Sequence, residues 1–377
     1  MQRVLVLLDY NETGGTGVFA KRLISFLSDR YLVHVCLNKA CTSTAFIEYL
    51  NGVGCEYSED FLRLPAMDAF MNRLTRRLGI KIFYEYFRDG FISYKLIRRY
   101  RPEMIFISQG GGCRYFRFLL TAPPVVIITH SLFNESVHEN MLGRKYVSLY
   151  RTLSGNNKRI VCVSKVADSL FRINIHCDHL AAISRHIGNF GQAMGRNEKA
   201  RDSLTVLTLG HLVEYKNPKI WMETAIRLTR IYPGRFKFIW AGDGAGLREM
   251  KKLAEEYVDI SFLGFQEHVA ALYREADIYF QPSKSESQGI AVVEALSAGL
   301  PCVVSSAGGL PESIEDGVEG FVCEPSAVDQ YVQAFLRLFE NSELRVQLGI
   351  NAREKYKKLF TRETWEAKMT ALIKEIV

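Results

Sequence analysis

Short β-forming runs alternate with helical stretches along the whole chain, and this alternation limits the fold more than any other feature. Neighbouring parallel strands need a crossover between them, usually a helix, whereas antiparallel strands need only a tight turn. The pattern therefore predicts parallel sheets flanked by helices. Strands are expected near 3–9, 31–38, 103–108, 124–129 and 159–164 in the first half, and near 204–210, 236–241, 259–263, 277–281, 301–305 and 319–323 in the second. Residues 326–377 read as successive helices. The stretch 190–203 has few core-forming residues and little periodicity, and is the expected linker. A chain of 377 residues is long for one domain and comfortable for two. The expected division is 1–192, 193–360 and a final helix at 361–377. Open parallel sheets bind ligands at the carboxyl ends of their strands, so a ligand is expected between the two domains and the informative residues just after strands.

The most informative segment lies after the strand-like run ending at Phe280. Pro282-Ser-Lys-Ser-Glu286-Ser287-Gln288-Gly289 is a polar turn, and an apolar helix follows from about Gly289 to Ala298, stopped by Gly299 and Pro301. Glu286 sits on the loop and Glu294 inside the helix, eight residues on. The helix start leaves backbone N–H groups free to hold an anion. This arrangement suits a nucleotide sugar, with the diphosphate at the helix N-terminus and one acid each for sugar and ribose. Two acids at this spacing also fit a plain strand–loop–helix unit with solvated carboxylates.

With its Pro-Ser, Gly-Ile and Ala-Gly-x-Pro frame, the segment resembles the E-x7-E signature of the family 4 retaining glycosyltransferases. The resemblance implies the GT-B fold: two Rossmann-like α/β domains facing a cleft, with a C-terminal helix crossing back to the N-terminal domain. It also implies that Glu286 contacts the donor sugar and Glu294 the ribose. Ser287, Gln288 and Gly289 are then donor-binding, although the family often has Gly or an aromatic directly after the first Glu.

Further positions match the family in part. Gly210-His211-Leu-Val-Glu-Tyr-Lys216 corresponds to its Gly-Arg-Leu…Lys pattern, which implies that His211 and Lys216 grip the donor phosphates, with His211 in place of the usual Arg. A lysine before a helix start is also a good diphosphate clamp on physical grounds, a point charge beside free N–H groups. Gly242-Asp-Gly follows a strand, as does Gly264-Phe265-Gln266, whose backbone reads the nucleobase in the family. Gly14 and Gly15 open the first helix near the phosphates, and His130, after the strand 125–129, is expected to face the donor sugar. Gly15-x-Gly17-x-x-Ala20 also fits a weak dinucleotide fingerprint. The second strand, however, ends in Asn38-Lys39 rather than the ribose-binding acid that such a site requires.

The eight cysteines form no C-x-x-C pair, and several lie in strand-like runs, which reads as reduced, buried thiols of a cytoplasmic protein. No apolar run is long enough to span a bilayer, and the chain opens directly on a strand, with no expected secretory leader. Between Arg63 and Arg101 ten basic residues face three acids, an excess equal to the whole formal charge of +7. Arg77, Lys81, Arg88, Lys95 and Arg99 share one face if the segment is helical, with aromatics such as Phe91 and Tyr94 between them and Asp89-Gly90 a candidate break. An ordinary amphipathic helix explains this pattern as well as an anionic membrane surface does. Many bacterial relatives act on lipid-linked acceptors, which favours the membrane and peripheral attachment at the inner face of the plasma membrane. No nucleic-acid recognition motif accompanies the charge.

The chain carries neither a D-x-D nor a P-loop. The expected activity is therefore a retaining, metal-independent transfer from a nucleotide diphosphate sugar to a hydroxyl acceptor, without cofactor. The acceptor class is a lipid-linked saccharide or a cell-surface polysaccharide precursor. Glu286, His130 and Lys216 are the expected catalytic residues. A sugar-nucleotide epimerase or hydrolase on the same fold, or a non-catalytic glycan-binding module, remains the alternative.

Overall fold

The computed structural model of the chain describes residues 1–9, 14–37, 43–59, 81–109, 116–132, 157–174, 178–194 and 203–377. They form two compact units, one of residues 1–187 with 366–377, the other of residues 188–365. The last helix, Arg362–Lys374, thus begins in the second unit and ends in the first. Arg30 holds Glu366 at 2.9 Å, and Arg159 holds Glu375 at 3.0 Å.

In the first unit, β1 (Arg3–Asp9), β2 (Leu32–Leu37), β3 (Glu56–Ser58), β4 (Met104–Gln109), β5 (Val125–Thr129), β6 (Lys158–Cys162) and β7 (Ser184–His186) form one parallel sheet in the order β3-β2-β1-β4-β5-β6-β7. The near-continuous apolar character of β1, β4 and β5 matches strands covered on both faces. The helices are α1 (Gly14–Ser28), α2 (Thr44–Val53), α3 (Lys81–Tyr100), α4 (Lys165–Asn174) and α5 (Asp178–Ala182). Leu5, Leu7, Ile105, Ile107, Ile127 and Ile160 pack against Leu96 of α3, Phe118 and Phe171 of α4. Helix α3 runs unbroken through Asp89-Gly90, contrary to the candidate break. An interior glycine costs only about 1 kcal/mol, and the inward Ser93 and Leu96 are anchored, Ser93 also bonding to Gly90 O at 2.9 Å.

In the second unit, β8 (Leu204–Leu209), β9 (Phe236–Ala241), β10 (Ile260–Gly264), β11 (Ile278–Gln281), β12 (Cys302–Ser305) and β13 (Gly320–Cys323) are again parallel, in the order β10-β9-β8-β11-β12-β13. Their helices are α6 (Pro218–Ile231), α7 (Leu247–Ala254), α8 (Ala270–Glu275), α9 (Ile290–Ala298), α10 (Leu310–Ser313), α11 (Val328–Glu340), α12 (Ser342–Leu359) and α13 (Arg362–Lys374). One face of the sheet buries Trp221, Phe236, Phe238, Trp240 and Phe335. The other buries Tyr273, Tyr279, Val292, Val293 and Leu296.

The chain divides at Ile187/Gly188 rather than at 192/193, and residues 188–194 are packed rather than free. Asn189 N bonds to Gln288 Oε1 at 2.7 Å, Gly191 N to Phe360 O at 3.3 Å, and Met194 N to Ser297 Oγ at 2.9 Å. The rest of the expected linker, 195–202, lies outside the described residues. Cys36, Cys55, Cys162, Cys302 and Cys323 are free and buried, and burial pushes the Cys323 thiol up to about 12. Cys41, Cys113 and Cys177 lie outside the described residues.

Candidate active site

The chemistry-bearing residues of the second unit gather after β8, β9, β10 and β11. A short 3-10 turn, Glu214–Lys216, follows β8. Asn217 then adopts a left-handed conformation with φ 61°, and Pro218 opens α6. The buried Asn217 amide donates to Pro282 O at 3.0 Å and Pro325 O at 2.8 Å, tying the Lys216 loop to the loop after β11. Across this junction Lys216 Nζ meets Glu286 Oε2 in an ion pair, each side chain only 14% exposed. Gln281 Nε2 donates to the same carboxylate oxygen at 2.9 Å.

Glu286 leads into Gly289, whose φ of 86° turns the chain into α9 and whose missing Cβ would stand 2.9 Å from Leu310 Cδ2. No side chain caps α9, and the amides of Ile290 and Ala291 meet no acceptor among the described residues. The helix start is therefore an open anion site carrying partial positive charge. Glu294 lies one turn further, where Tyr273 Oη reaches its Oε2 at 3.3 Å.

A second cluster joins the turns after β8, β9 and β10. A Cβ on Gly242 would fall 1.9 Å from Gly210 O, so these turns touch backbone to backbone, and Gly242 N bonds to Gly264 O at 2.8 Å. His211 follows Gly210 and is half-buried, while Phe265 follows Gly264 and is 70% exposed. Gln266 folds its amide back onto Phe265 O at 3.0 Å.

In the first unit, Gly14 and Gly15 open α1 after β1, and residues 10–13 lie outside the described residues. His130 follows β5. Its Nε2 lies 2.9 Å from Ser108 Oγ, and Phe19 meets its ring edge-on at 4.7 Å. Burial pulls the imidazole down to about 3, so it is neutral at ordinary pH.

One expected donor contact is differently engaged. The Gln288 side chain is buried and bonded at both ends to the Asn189 backbone, accepting from its N at 2.7 Å and donating to its O at 3.2 Å. Its amide is committed inside the unit, leaving only its backbone for a ligand. Ser287 sits beside it, its carbonyl against Gly309. Asn217, Gln281, Tyr273 and Tyr279 contribute to the site without having been anticipated. Gln281 carried a signal, a polar residue closing an otherwise apolar strand.

Two parallel α/β units, with strand–loop–helix turns holding a lysine and two glutamates at the carboxyl edge of the second, define the GT-B class of fold. Residues 190–355 match the family model described as Glycosyl transferases group 1. That match takes in both Glu286 and Glu294 and lies within the second unit. The chain is 27% identical over 282 residues to the UDP-Gal:α-D-GlcNAc-diphosphoundecaprenol α-1,3-galactosyltransferase of Escherichia coli, covering 70% of this chain and 72% of that relative. An uncharacterized glycosyltransferase of Haemophilus influenzae is 25% identical over 199 residues, covering 52% of this chain and 55% of the relative. Against several curated relatives the match spans only about a third to a half of their length. Among solved structures, Anabaena HepE in complex with UDP and glucose superposes with a TM-score of 0.73 at 17% identity, covering 99% of this chain and 100% of that one.

Among the described residues no group of three or more His, Cys, Asp or Glu is placed to hold a metal ion, and no helix is long and apolar enough to cross a membrane.

Proposed function

We propose that this protein is a retaining, metal-independent glycosyltransferase that moves a sugar from a nucleoside diphosphate donor to a hydroxyl of a lipid-linked saccharide or polysaccharide precursor. The observation that carries the proposal is the convergence of Lys216, Glu286 and the uncapped start of α9. One Lys216 N–H is engaged by Glu286, and an ammonium has two more to give. With the amides of Ile290 and Ala291 they would stabilise charge building on the departing β-phosphate. Glu286 orients the sugar, and Glu294, a helical turn beyond the amides, holds the ribose. His130, neutral and held by Ser108, is suited to hydrogen-bond a sugar hydroxyl rather than to repel or neutralise charge. The absent D-x-D and the lysine at the phosphate site support metal independence. The UDP-Gal galactosyltransferase relative and the neighbour in complex with UDP make a uridine nucleotide the first donor to test.

Thermal shift against a set of nucleotide sugars is the direct assay, because a ligand that binds only the folded state raises Tm. Radiolabel transfer to an undecaprenyl-linked saccharide, with and without EDTA, follows. Transfer that survives EDTA with retention of anomeric configuration supports the proposal. Donor consumed without an acceptor points instead to a hydrolase or epimerase, and activity abolished by EDTA and restored by a divalent ion removes metal independence.

The outward face of α3 supports membrane docking as part of the same proposal. Phe91 and Tyr94 are 63% and 59% exposed beside exposed Lys95, Arg98 and Arg99, while Ser93 and Leu96 face inward. Basic side chains with exposed aromatics between them suit an anionic interface. Arg63, Arg73, Arg76 and Arg77 lie outside the described residues, as do the side chains of Lys81 and Arg88.

A further inference from the structure

Two buried tyrosines lie behind the two glutamates. Tyr273 on α8 and Tyr279 on β11 are fully buried, with ring centroids 6.1 Å apart and ring planes inclined by 22°. Tyr273 Oη lies 2.9 Å from Ala291 O, in the first turn of α9, and 3.3 Å from Glu294 Oε2. Tyr279 Oη lies 2.9 Å from Gln281 Oε1, with Leu209 N at 3.4 Å and Leu209 O at 3.3 Å. Gln281, itself 2% exposed, then gives Nε2 to Glu286 Oε2 at 2.9 Å.

The direction of this chain is set by chemistry. A carboxylate only accepts, so the Gln281 nitrogen must face Glu286 and its oxygen must face the phenol. A phenol has one proton, and the shortest contact takes it to Gln281 Oε1. Turning the amide over would set two acceptors against each other at the carboxylate. Burial raises both phenols well above their ordinary value, so both remain proton donors. Lys216 and Gln281 both occupy Oε2 of Glu286. Oε1 makes no hydrogen bond among the described residues and is the oxygen left to meet a ligand.

We propose that Tyr273 and Tyr279 are positioning residues for the two glutamates, Tyr279 setting Glu286 through Gln281, and Tyr273, whose one proton goes to Ala291 O at 2.9 Å, fixing the first turn of α9 and with it Glu294, 3.3 Å from the same hydroxyl. One stacked aromatic pair between α8 and β11 then orients both ends of the nucleotide-sugar site. The consequence rests on the glycosyltransferase reading, in which Glu286 meets the sugar and Glu294 the ribose.

Tyr279→Phe and Tyr273→Phe keep the rings and remove only the hydroxyls. Tyr279→Phe is expected to lower kcat about tenfold, the loss of one hydrogen bond serving a charged group, with donor KM within about twofold. Tyr273→Phe is expected to raise donor KM several-fold with kcat kept. A purely structural role would move both parameters and Tm in parallel, and that result overturns the proposal. A second measurement needs no substrate. In protein carrying 13C at glutamate carboxyls, Tyr279→Phe should move the Glu286 resonance and leave that of Glu294, and Tyr273→Phe the reverse. Unmoved resonances overturn the positioning contacts. If the wild type transfers no sugar, the glycosyltransferase reading fails, and the resonances alone decide whether the tyrosines set the carboxylates.

Discussion

Lys216 and Glu286, 70 residues apart in the chain, meet in an ion pair whose two side chains are mostly buried. The pair joins the loop after β8 to the loop after β11 and sits beside the open start of α9. Under the proposed function it gives the lysine two tasks, holding the carboxylate in the free protein and receiving phosphate when a donor binds.

Lys216→Ala should therefore be felt in both stability and binding. It leaves Glu286 partly buried with only Gln281 as partner, a loss of about 1–3 kcal/mol. Donor affinity should fall on the order of tenfold or more, since a charge-assisted contact to phosphate is removed. Urea unfolding and calorimetric titration with nucleoside diphosphate measure the two effects. A variant with wild-type affinity would remove Lys216 from the phosphate site.

Glu286→Ala and Glu294→Ala should separate turnover from binding. If Glu286 meets the sugar as proposed, that contact strengthens as the glycosidic bond breaks, so Glu286→Ala is expected to lower kcat by a factor on the order of a hundred with donor KM changed much less. A ribose contact of Glu294, as proposed, would be the same in ground and transition states, so Glu294→Ala is expected chiefly to raise KM. Steady-state kinetics on both variants checks the split. Equal loss of affinity and turnover in Glu286→Ala would put that residue in the wrong role.

His130 makes stability depend on pH. Its folded value of about 3 lies below the ordinary 6.5, so the neutral form is favoured in the fold. Below pH 6.5 the unfolded chain takes up a proton that the folded chain refuses. The contribution is thus complete above pH 6.5 and is lost as pH falls toward 3. Between pH 7 and pH 4 the wild type should lose on the order of 3 kcal/mol more than His130→Gln. Denaturant melts at the two pH values measure the difference, and parallel losses in both proteins would mean that His130 titrates near its ordinary value.

Co-sedimentation with liposomes tests the α3 face. Binding is expected to vesicles containing anionic lipid, to weaken with salt, and to fall when Arg98 and Arg99 are replaced by Ala, each contributing about 1 kcal/mol. Phe91→Ser with Tyr94→Ser should weaken binding at every salt concentration. Indifference to lipid charge and salt would rule out the anionic surface as partner.

Much of the architecture was legible in the residues. Long apolar strands such as β1 and β5 announce themselves because both faces are buried and the run is nearly continuous. The edge strands β3 and β7, Glu56–Ser58 and Ser184–His186, did not, since three residues carry no periodicity. Residues 190–194 read as linker because their anchors, Ser297 and Phe360, are more than a hundred residues away along the chain.

By itself, the sequence determined the class of fold, the strand–loop–helix frame and the types of chemical group placed after the strands. Those follow from local periodicity, turn residues and spacing along the chain. Tertiary structure alone decided which groups are available. It paired Lys216 with Glu286, committed the Gln288 amide to Asn189, and set Tyr273 and Tyr279 behind the two carboxylates. A hydrogen bond depends on distance and direction in space, and the parallel crossovers bring together residues whose separation in sequence carries no sign that they meet.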